Sequence, residues 1–376
     1  MSTHITHDPA YETVDRDDFA AMIEAERYAS RTQAFDEIIS ATVDHFWDPT
    51  DARYVDFDSH NVDLTQETLL PREMVVELQS AVADRLDEGQ QIRLANQSSR
   101  FFLSNILHGE QGALSLSASL CHVLREPGAQ EYAANQTREE ARHVAGFSLY
   151  IQKYWGQPLA CGATLSSLLD ELVCSPEVYK KLVGMQLLVE GLAMGAFATL
   201  HSRSSDPVLR RLVQLVMTDE AFHHKFGKIW AARTVPMLSE EEHEKVELWA
   251  ARCFEMLLFN LVNSEQKQEI YAEFDLEWEW VRGAVLEVFS DKDRRANMRN
   301  TTNIFRVLVK TLLKAGIITE RTRPLYAAWV DMEELAGESD QLVGSAVVDQ
   351  GMESLREINR QRRPMGRAGP KGIPTS

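Results

Sequence analysis

The chain has 376 residues, of which 44% are hydrophobic and 26% charged, with a formal net charge of −18 and four scattered cysteines. Such a composition describes a globular chain with a sizeable core, in one large domain or two small ones. The acidity argues against a nucleic-acid partner, because the chain repels a phosphate backbone. No apolar run approaches the roughly 20 residues of a membrane span, and the polar stretch 1–11 is not a signal peptide. Cys121, Cys161, Cys174 and Cys253 match no metal-thiolate spacing. The expected setting is therefore cytoplasmic, with no membrane span.

Helix signals dominate along the chain, and sustained period-2 alternation is lacking. A flexible N-terminus (1–15) precedes a helical extension (16–89), read as a helix over 16–46, an irregular Pro/Asp-rich stretch over 48–63 and a helix over 71–87. A long helix over 88–124 stops before Pro127-Gly128, and the next, over 129–154, ends at Gly156 and Pro158. After a loop (159–164) and a short helix (165–173), Ser175-Pro176-Glu177 offers a cap, a proline and an acid for a helix reaching His201. Asp206-Pro207 starts the following helix in the same way and carries it to about Thr234. Ser239 to Glu242 has the form of a capping box. Further helices are expected over 275–289 and 294–315, within a C-terminal set (236–358) packed on the bundle. The stretch 359–376, rich in Arg, Pro and Gly, reads as a disordered basic tail. The unit at 90–235 thus holds four long helices in two pairs, and the fold class is all-α, a four-helix bundle with additional N- and C-terminal helices.

Two Glu-x-x-His motifs fall in that unit, Glu140-Ala-Arg-His143 and Glu220-Ala-Phe-His223. Residues three apart share one helix face, so a carboxylate and an imidazole can grip one metal ion. The motif alone is weak: among 11 histidines in an acidic chain it also arises by chance, and Glu240-Glu-Glu-His243 has the same form at a charged helix start. The context of the first two is more telling. Glu110 is the only acid between Glu88 and Glu126, and Glu190 the only acid between Glu177 and Asp206. Both stand in apolar runs with no Lys or Arg within a turn or two, where an ionised carboxylate is costly to bury without a compensating cation. The 30-residue interval from Glu110 to Glu140 recurs from Glu190 to Glu220. Two helices each giving a Glu and two each giving Glu-x-x-His is the donor set of di-iron and di-manganese bundle sites. The candidate metal ligands are therefore Glu110, Glu140, His143, Glu190, Glu220 and His223.

On Glu139-Glu-Ala-Arg-His143 and Thr218-Asp-Glu-Ala-Phe-His223, over about 100–230, the chain resembles the ferritin-like di-iron carboxylate superfamily. That group includes acyl-carrier desaturases, multicomponent monooxygenases, ribonucleotide reductase small subunits, R2-like ligand-binding oxidases and arylamine N-oxygenases. The resemblance implies a ferritin-like bundle in which Glu140 and Glu220 bridge or cap two metals, His143 and His223 give one nitrogen to each, and Glu110 and Glu190 complete the set. It implies that Asp219 orients a ligating histidine across the bundle; Glu139 either does the same or lies on a solvated face. Phe147 stands where radical-bearing relatives carry Tyr, and Val216 where the N-oxygenases carry an extra His, which disfavours both activities.

The implied cofactor is two Fe ions, with Mn/Fe equally compatible, and O2 is the co-substrate. The expected activity is that of an O2-dependent oxygenase or hydroxylase acting on an organic small molecule or carrier-bound substrate with an external reductase or ferredoxin. The alternatives are an acyl-chain desaturase or related oxidase, and a non-catalytic metal-binding protein. Phe147, Met194, Phe197 and Phe226, one turn from the ligands, are candidate pocket residues or plain core. A homodimer is the common outcome for a soluble oligomer.

Overall fold

The computed structural model describes residues 7–288, 304–338 and 343–361. Two short helices, α1 (Phe19–Met22) and α2 (Asp36–Asp44), precede the long hairpin of α3 (Glu88–Val123) and α4 (Pro127–Trp155). A crossover containing α5 (Ala163–Cys174) leads to the second hairpin, α6 (Lys180–Arg203) and α7 (Pro207–Thr234). Then come α8 (Glu240–Val262), α9 (Gln268–Ala272), α10 (Trp278–Val288), α11 (Ile304–Lys314), α12 (Arg323–Ala327), α13 (Met332–Gly337) and α14 (Ser345–Arg360). No named strand occurs among the described residues.

The long helices begin and end where local chemistry dictates. Asp87 and Gln90 form a reciprocal capping box at the start of α3, with Gln90 N donating to Asp87 Oδ1 at 2.8 Å and Asp87 N donating to Gln90 Oε1 at 2.9 Å. Glu126 accepts from Ala129 N ahead of Pro127 in the first turn of α4, and Gly156 closes that helix at φ 75°, a left-handed value suited to glycine. Asp206 caps α7 through Val208 N at 2.8 Å, again with Pro in the first turn. Ser239 and Glu242 form the expected box before α8.

The four long helices put one polar layer between two apolar ones. One apolar cluster takes Leu116, Tyr132, Leu187 and Phe226; the other takes Leu103, Phe147, Met194 and Leu212. The Glu and His side chains singled out above lie between these positions on every helix. The order of the clusters along each helix shows that α3 and α4 run antiparallel, as do α6 and α7, while α4 and α6 run parallel. The link through α5 is therefore the single long crossover of a ferritin-like bundle. Around this core α2 packs on α4 and α7, α8 on α5 and the start of α6, α11 on α6, and α14 on α7. By length and composition α6 could cross a membrane, but 72% of its apolar window is buried within the protein, and Glu190 stands in its middle.

Several expectations change. The helix over 16–46 is instead α1, a 3-10 turn over Ala25–Ala29 and α2. Ser30 Oγ donates to Arg27 O at 2.8 Å, and Thr32 N donates to the buried Glu126 carboxylate at 2.7 Å, so one local and one distant polar group take bonds that a continuous helix would need. The helix over 71–87 is three 3-10 turns, Arg72–Met74, Val76–Gln79 and Ala83–Arg85. Their apolar residues wrap onto α9 and α10, and the buried Glu77 is anchored there by Lys267 at 2.8 Å and Tyr271 at 2.5 Å. Residues 7–15, expected to be flexible, are tied down: Tyr11 stacks on Trp230 at 6.1 Å, and Val14 N donates to Val123 O. The second hairpin's first helix starts after Pro176 and opens with a ten-residue π-helix, Lys180–Val189. The expected helix over 294–315 is seen as Ile304–Lys314, and its earlier part lies outside the described residues, as does the tail beyond 361.

Asp206 does more than cap. Its Oδ2 also accepts from the hydroxyls of Tyr150 and Tyr154, both at 2.7 Å, with the carboxylate fully buried. Asp206→Ala is expected to lower stability by roughly 2–4 kcal/mol, the sum of a lost cap and unpaired buried hydroxyls, with Asp206→Asn losing less, as read from chemical denaturation.

Candidate metal centre

The polar layer gathers all six residues expected to bind metal. Two overlapping quartets form, Glu110–Glu140–His143–Glu220 and Glu140–Glu190–Glu220–His223, each with its donor atoms within 4.8 Å of one another. Glu140 and Glu220 belong to both, which is the arrangement that two ions sharing a pair of carboxylates require. His143 Nδ1 lies 3.2 Å from Glu110 Oε2, from Glu140 Oε2 and from Glu220 Oε1. His223 Nδ1 lies 3.0 Å from Glu140 Oε1 and 3.2 Å from Glu220 Oε2.

Both imidazoles point Nδ1 inward and Nε2 outward. His143 Nε2 meets Asp219 Oδ2 at 2.8 Å, and His223 Nε2 meets Glu139 Oε2 at 2.9 Å. Each outer acid immediately precedes a Glu of the inner set and reaches the histidine of the opposite helix. A proton donated outward from Nε2 leaves the Nδ1 lone pair facing the centre. Glu139, for which the sequence leaves a solvated face open, is 2% exposed.

The outer acids are themselves balanced. Arg142 forks onto Asp219, with Nε 2.9 Å from Oδ2 and Nη2 2.5 Å from Oδ1, and lies 3.6 Å from Glu139. His45 Nε2 sits between them, 3.0 Å from Glu139 and 3.3 Å from Asp219, and the Trp47 indole donates to Asp219 Oδ2 at 2.8 Å. Against the cost of burial, Arg142, then His143 and His45, hold the Asp219 carboxyl well below the usual range. His45, Glu139 and Asp219 could by distance form a third cation site, but Arg142 already supplies positive charge there. Arg142 is the variable residue just before His143 in its motif. His45 and Trp47 arrive from the C-terminal end of α2, 94 and 172 residues from the acids they meet, and only the local run His45-Phe-Trp47 hints at them.

The inner set has no such balance. Among the described residues, no Lys or Arg pairs with Glu110, Glu140, Glu190 or Glu220. Burial pushes Glu110 and Glu190 well above the usual carboxylate range, and Glu220 adds to this at Glu190. Burial opposes charge on the imidazoles, yet Asp219 and Glu110 raise His143, and Glu140 and Glu220 raise His223. Glu220 Oε1 is buried without a directed hydrogen bond. Four carboxylates, two neutral imidazoles and two divalent cations make a neutral cluster, so the donors fit a di-metal group in number, charge and softness. Together the bundle topology and this donor set fit a ferritin-like di-metal carboxylate centre.

An apolar cavity of about 110 Å³ adjoins the centre between α3 and α6. Glu110 and Glu190 form part of its wall, with Phe102, Ile106, Leu169 and Phe197 among the rest. Of the expected pocket residues only Phe197 lines it. Phe147 stacks behind Phe197 at 5.7 Å, Met194 lies in the same apolar cluster, and Phe226 packs on Phe35 and Tyr132. Gly191 makes room not for the cavity but for Leu308 of α11, 3.3 Å from where a Cβ would stand. His243 of the look-alike motif hydrogen-bonds the Gly316 carbonyl at 2.9 Å, and Glu240 is exposed.

No protein-family model matches the chain, and no curated protein does. Among solved structures the chain is similar to a point mutant of an R2-like ligand-binding oxidase with an aerobically reconstituted Mn/Fe cofactor. The two are 12% identical, the match covers 87% of this chain and 94% of that one, and the TM-score is 0.34.

Two outcomes are expected. Glu139→Gln should weaken metal binding by about 10- to 100-fold with helicity retained, as read by metal titration and circular dichroism. Because the inner carboxylates and imidazoles must shed protons to bind metal, affinity should rise with pH and binding should release protons, measurable with an indicator dye.

Proposed function

We propose that the protein is an O2-dependent di-iron oxidoreductase, an oxygenase or hydroxylase whose substrate is a neutral, apolar organic molecule. The proposed ligands are Glu110, Glu140, His143, Glu190, Glu220 and His223, oriented through Asp219 and Glu139. The observation that carries the reading is the apolar cavity walled by Glu110 and Glu190. Carboxylates and imidazoles without thiolate suit iron, or a Mn/Fe pair. Such a group supplies, when bound, the electrons that activate O2 and the oxidising power for an unreactive C–H bond.

The chain's own contribution is placement and exclusion of water. Phe102, Ile106, Leu169 and Phe197 offer a substrate dispersion contacts and almost no hydrogen bonds. The cavity is of the order of size that admits one benzene-sized molecule, since an apolar cavity of about 150 Å³ binds benzene. An anionic group would meet Glu110 and Glu190, so a ring or the end of an alkyl chain is the proposed occupant. An acyl-chain desaturase would place its chain in the same cavity. Iron storage is the weaker reading, because the wall offers little polar surface on which a mineral could grow. An external reductase or ferredoxin, a homodimer and a cytoplasmic setting complete the proposal.

Metal analysis should find two ions per chain, lost on Glu190→Ala combined with His223→Ala; full loading of that double variant would sink the ligand assignment. Many irons per chain would favour storage instead. Gly109 lines the cavity, and a Cβ there would meet nothing within 4 Å. Gly109→Leu should therefore keep both metals and the fold, yet abolish product formation by filling the cavity. If turnover of an apolar substrate survives, the cavity is not its site.

A further inference from the structure

Two buried glutamines lie outside the set of six donors and yet touch it. Gln136 and Gln186 are both 0% exposed. The Gln136 amide donates from Nε2 to Glu140 Oε1 at 3.1 Å and to Glu190 Oε1 at 3.0 Å, so one NH2 group serves two carboxylates. Its Oε1 in turn accepts from Gln186 Nε2 at 3.0 Å, which fixes which way the Gln136 amide faces. Gln186 Oε1 is left buried with no hydrogen-bond partner among the described residues, a costly arrangement for an amide.

Each glutamine stands four residues, about one helical turn, before one of those carboxylates: Gln136 before Glu140, Gln186 before Glu190. The matching positions before Glu110 and Glu220 are Ile106 and Val216. The amide chain therefore reaches Glu190, which belongs to the His223 quartet alone, and the shared Glu140, but not Glu110. Gln186 lies in the π-helix that leads directly into Glu190. That segment sits tight against α7, where a Cβ on Gly227 would fall 2.8 Å from both Cβ and O of Gln186. The backbone behind the amide is thus packed closely against α7, and π segments are frequent where function needs an irregular helix.

We propose that Gln136 and Gln186 are a positioning pair that makes the two metal positions unequal. The pair holds one oxygen of Glu190 and one of Glu140, so the position served by Glu190 and His223 is preorganised and binds its ion more tightly. The position served by Glu110 and His143 has no amide behind its own glutamate and is the looser of the two. The inference rests on the di-metal reading of the centre. It concerns neither the substrate nor the reaction.

The test is anaerobic titration of metal-free protein with Co(II) in competition with a chelator, followed by the visible Co(II) spectrum. The wild type should show two unequal steps. Gln136→Leu should weaken the tighter step by about 10- to 100-fold, because partners behind a metal ligand carry that much affinity, and the looser one by much less, because it shares only Glu140 with the pair. Gln186→Met, nearly isosteric, should shift the same step in the same direction by less; it keeps the test available if Gln136→Leu does not fold, which thermal unfolding shows directly. A glutamine pair serving packing alone would lower the unfolding temperature and move both steps together. Two equal steps in the wild type, equal shifts of both steps in the variants, or no shift at all would overturn the pair's role while leaving the di-metal reading intact. Uptake of fewer than two ions by the wild type would overturn both.

Discussion

Glu110, Glu140, Glu190 and Glu220 meet in one buried layer with apolar side chains above and below them, and the electrostatic demand of that layer shapes the rest of the molecule. Ionised carboxylates this close together repel one another, and desolvation penalises each separately. Two imidazoles turn their Nδ1 atoms toward the four acids and hand their other ring nitrogens to Asp219 and Glu139. Those acids would be a second buried charge problem without Arg142 and His45. The charge pattern therefore alternates outward from the centre: an inner set that calls for cations, an outer pair of acids, and an outermost guanidinium and imidazole from the chain itself.

This pattern gives the bundle two different faces. The outer acids lie on α4 and α7, and α2 closes that side with His45 and Trp47. The cavity lies on the other side, between α3 and α6, with α5 and α8 contributing Leu169 and Leu257. A face crowded with paired charges has no space for an apolar guest, and a face of Phe and Leu cannot steady a buried carboxylate. Charge compensation and the apolar cavity thus lie on different sides of the layer, with Glu110 and Glu190 on the apolar side and the two histidines turned toward the outer acids.

The irregular parts of the fold serve the same layer. The segments over 16–46 and 71–87 lack long helices because Ser30 turns back on Arg27 while Thr32 and the buried Glu77 find hydrogen-bond partners far away in the chain. Breaking the helix over 16–46 leaves the short α2, which packs on α4 and α7 and delivers His45. The π-helix ahead of Glu190 is the other departure, and it brings Gln186 beside Gln136.

What the sequence determined by itself was local in origin. Caps, prolines and Gly156 marked the ends of the long helices, and the three-residue spacing put each Glu-His pair on one face. The isolation of Glu110 and Glu190 among apolar neighbours pointed to a shared buried partner, because a lone acid in such a run is costly on any fold. What only the tertiary structure decided were contacts between residues far apart in the chain. The burial of Glu139 against His223 depends on how α4 faces α7, and the arrival of His45 and Trp47 depends on where α2 docks. Of the four aromatic and sulfur side chains expected at the pocket, Phe197 alone lines the cavity, because helix rotation and the neighbouring α5 and α8 set which side is open. Gln136 and Gln186 carried no signal in the sequence, since an isolated amide on an apolar face gains meaning only from the partner that packing brings within 3.0 Å.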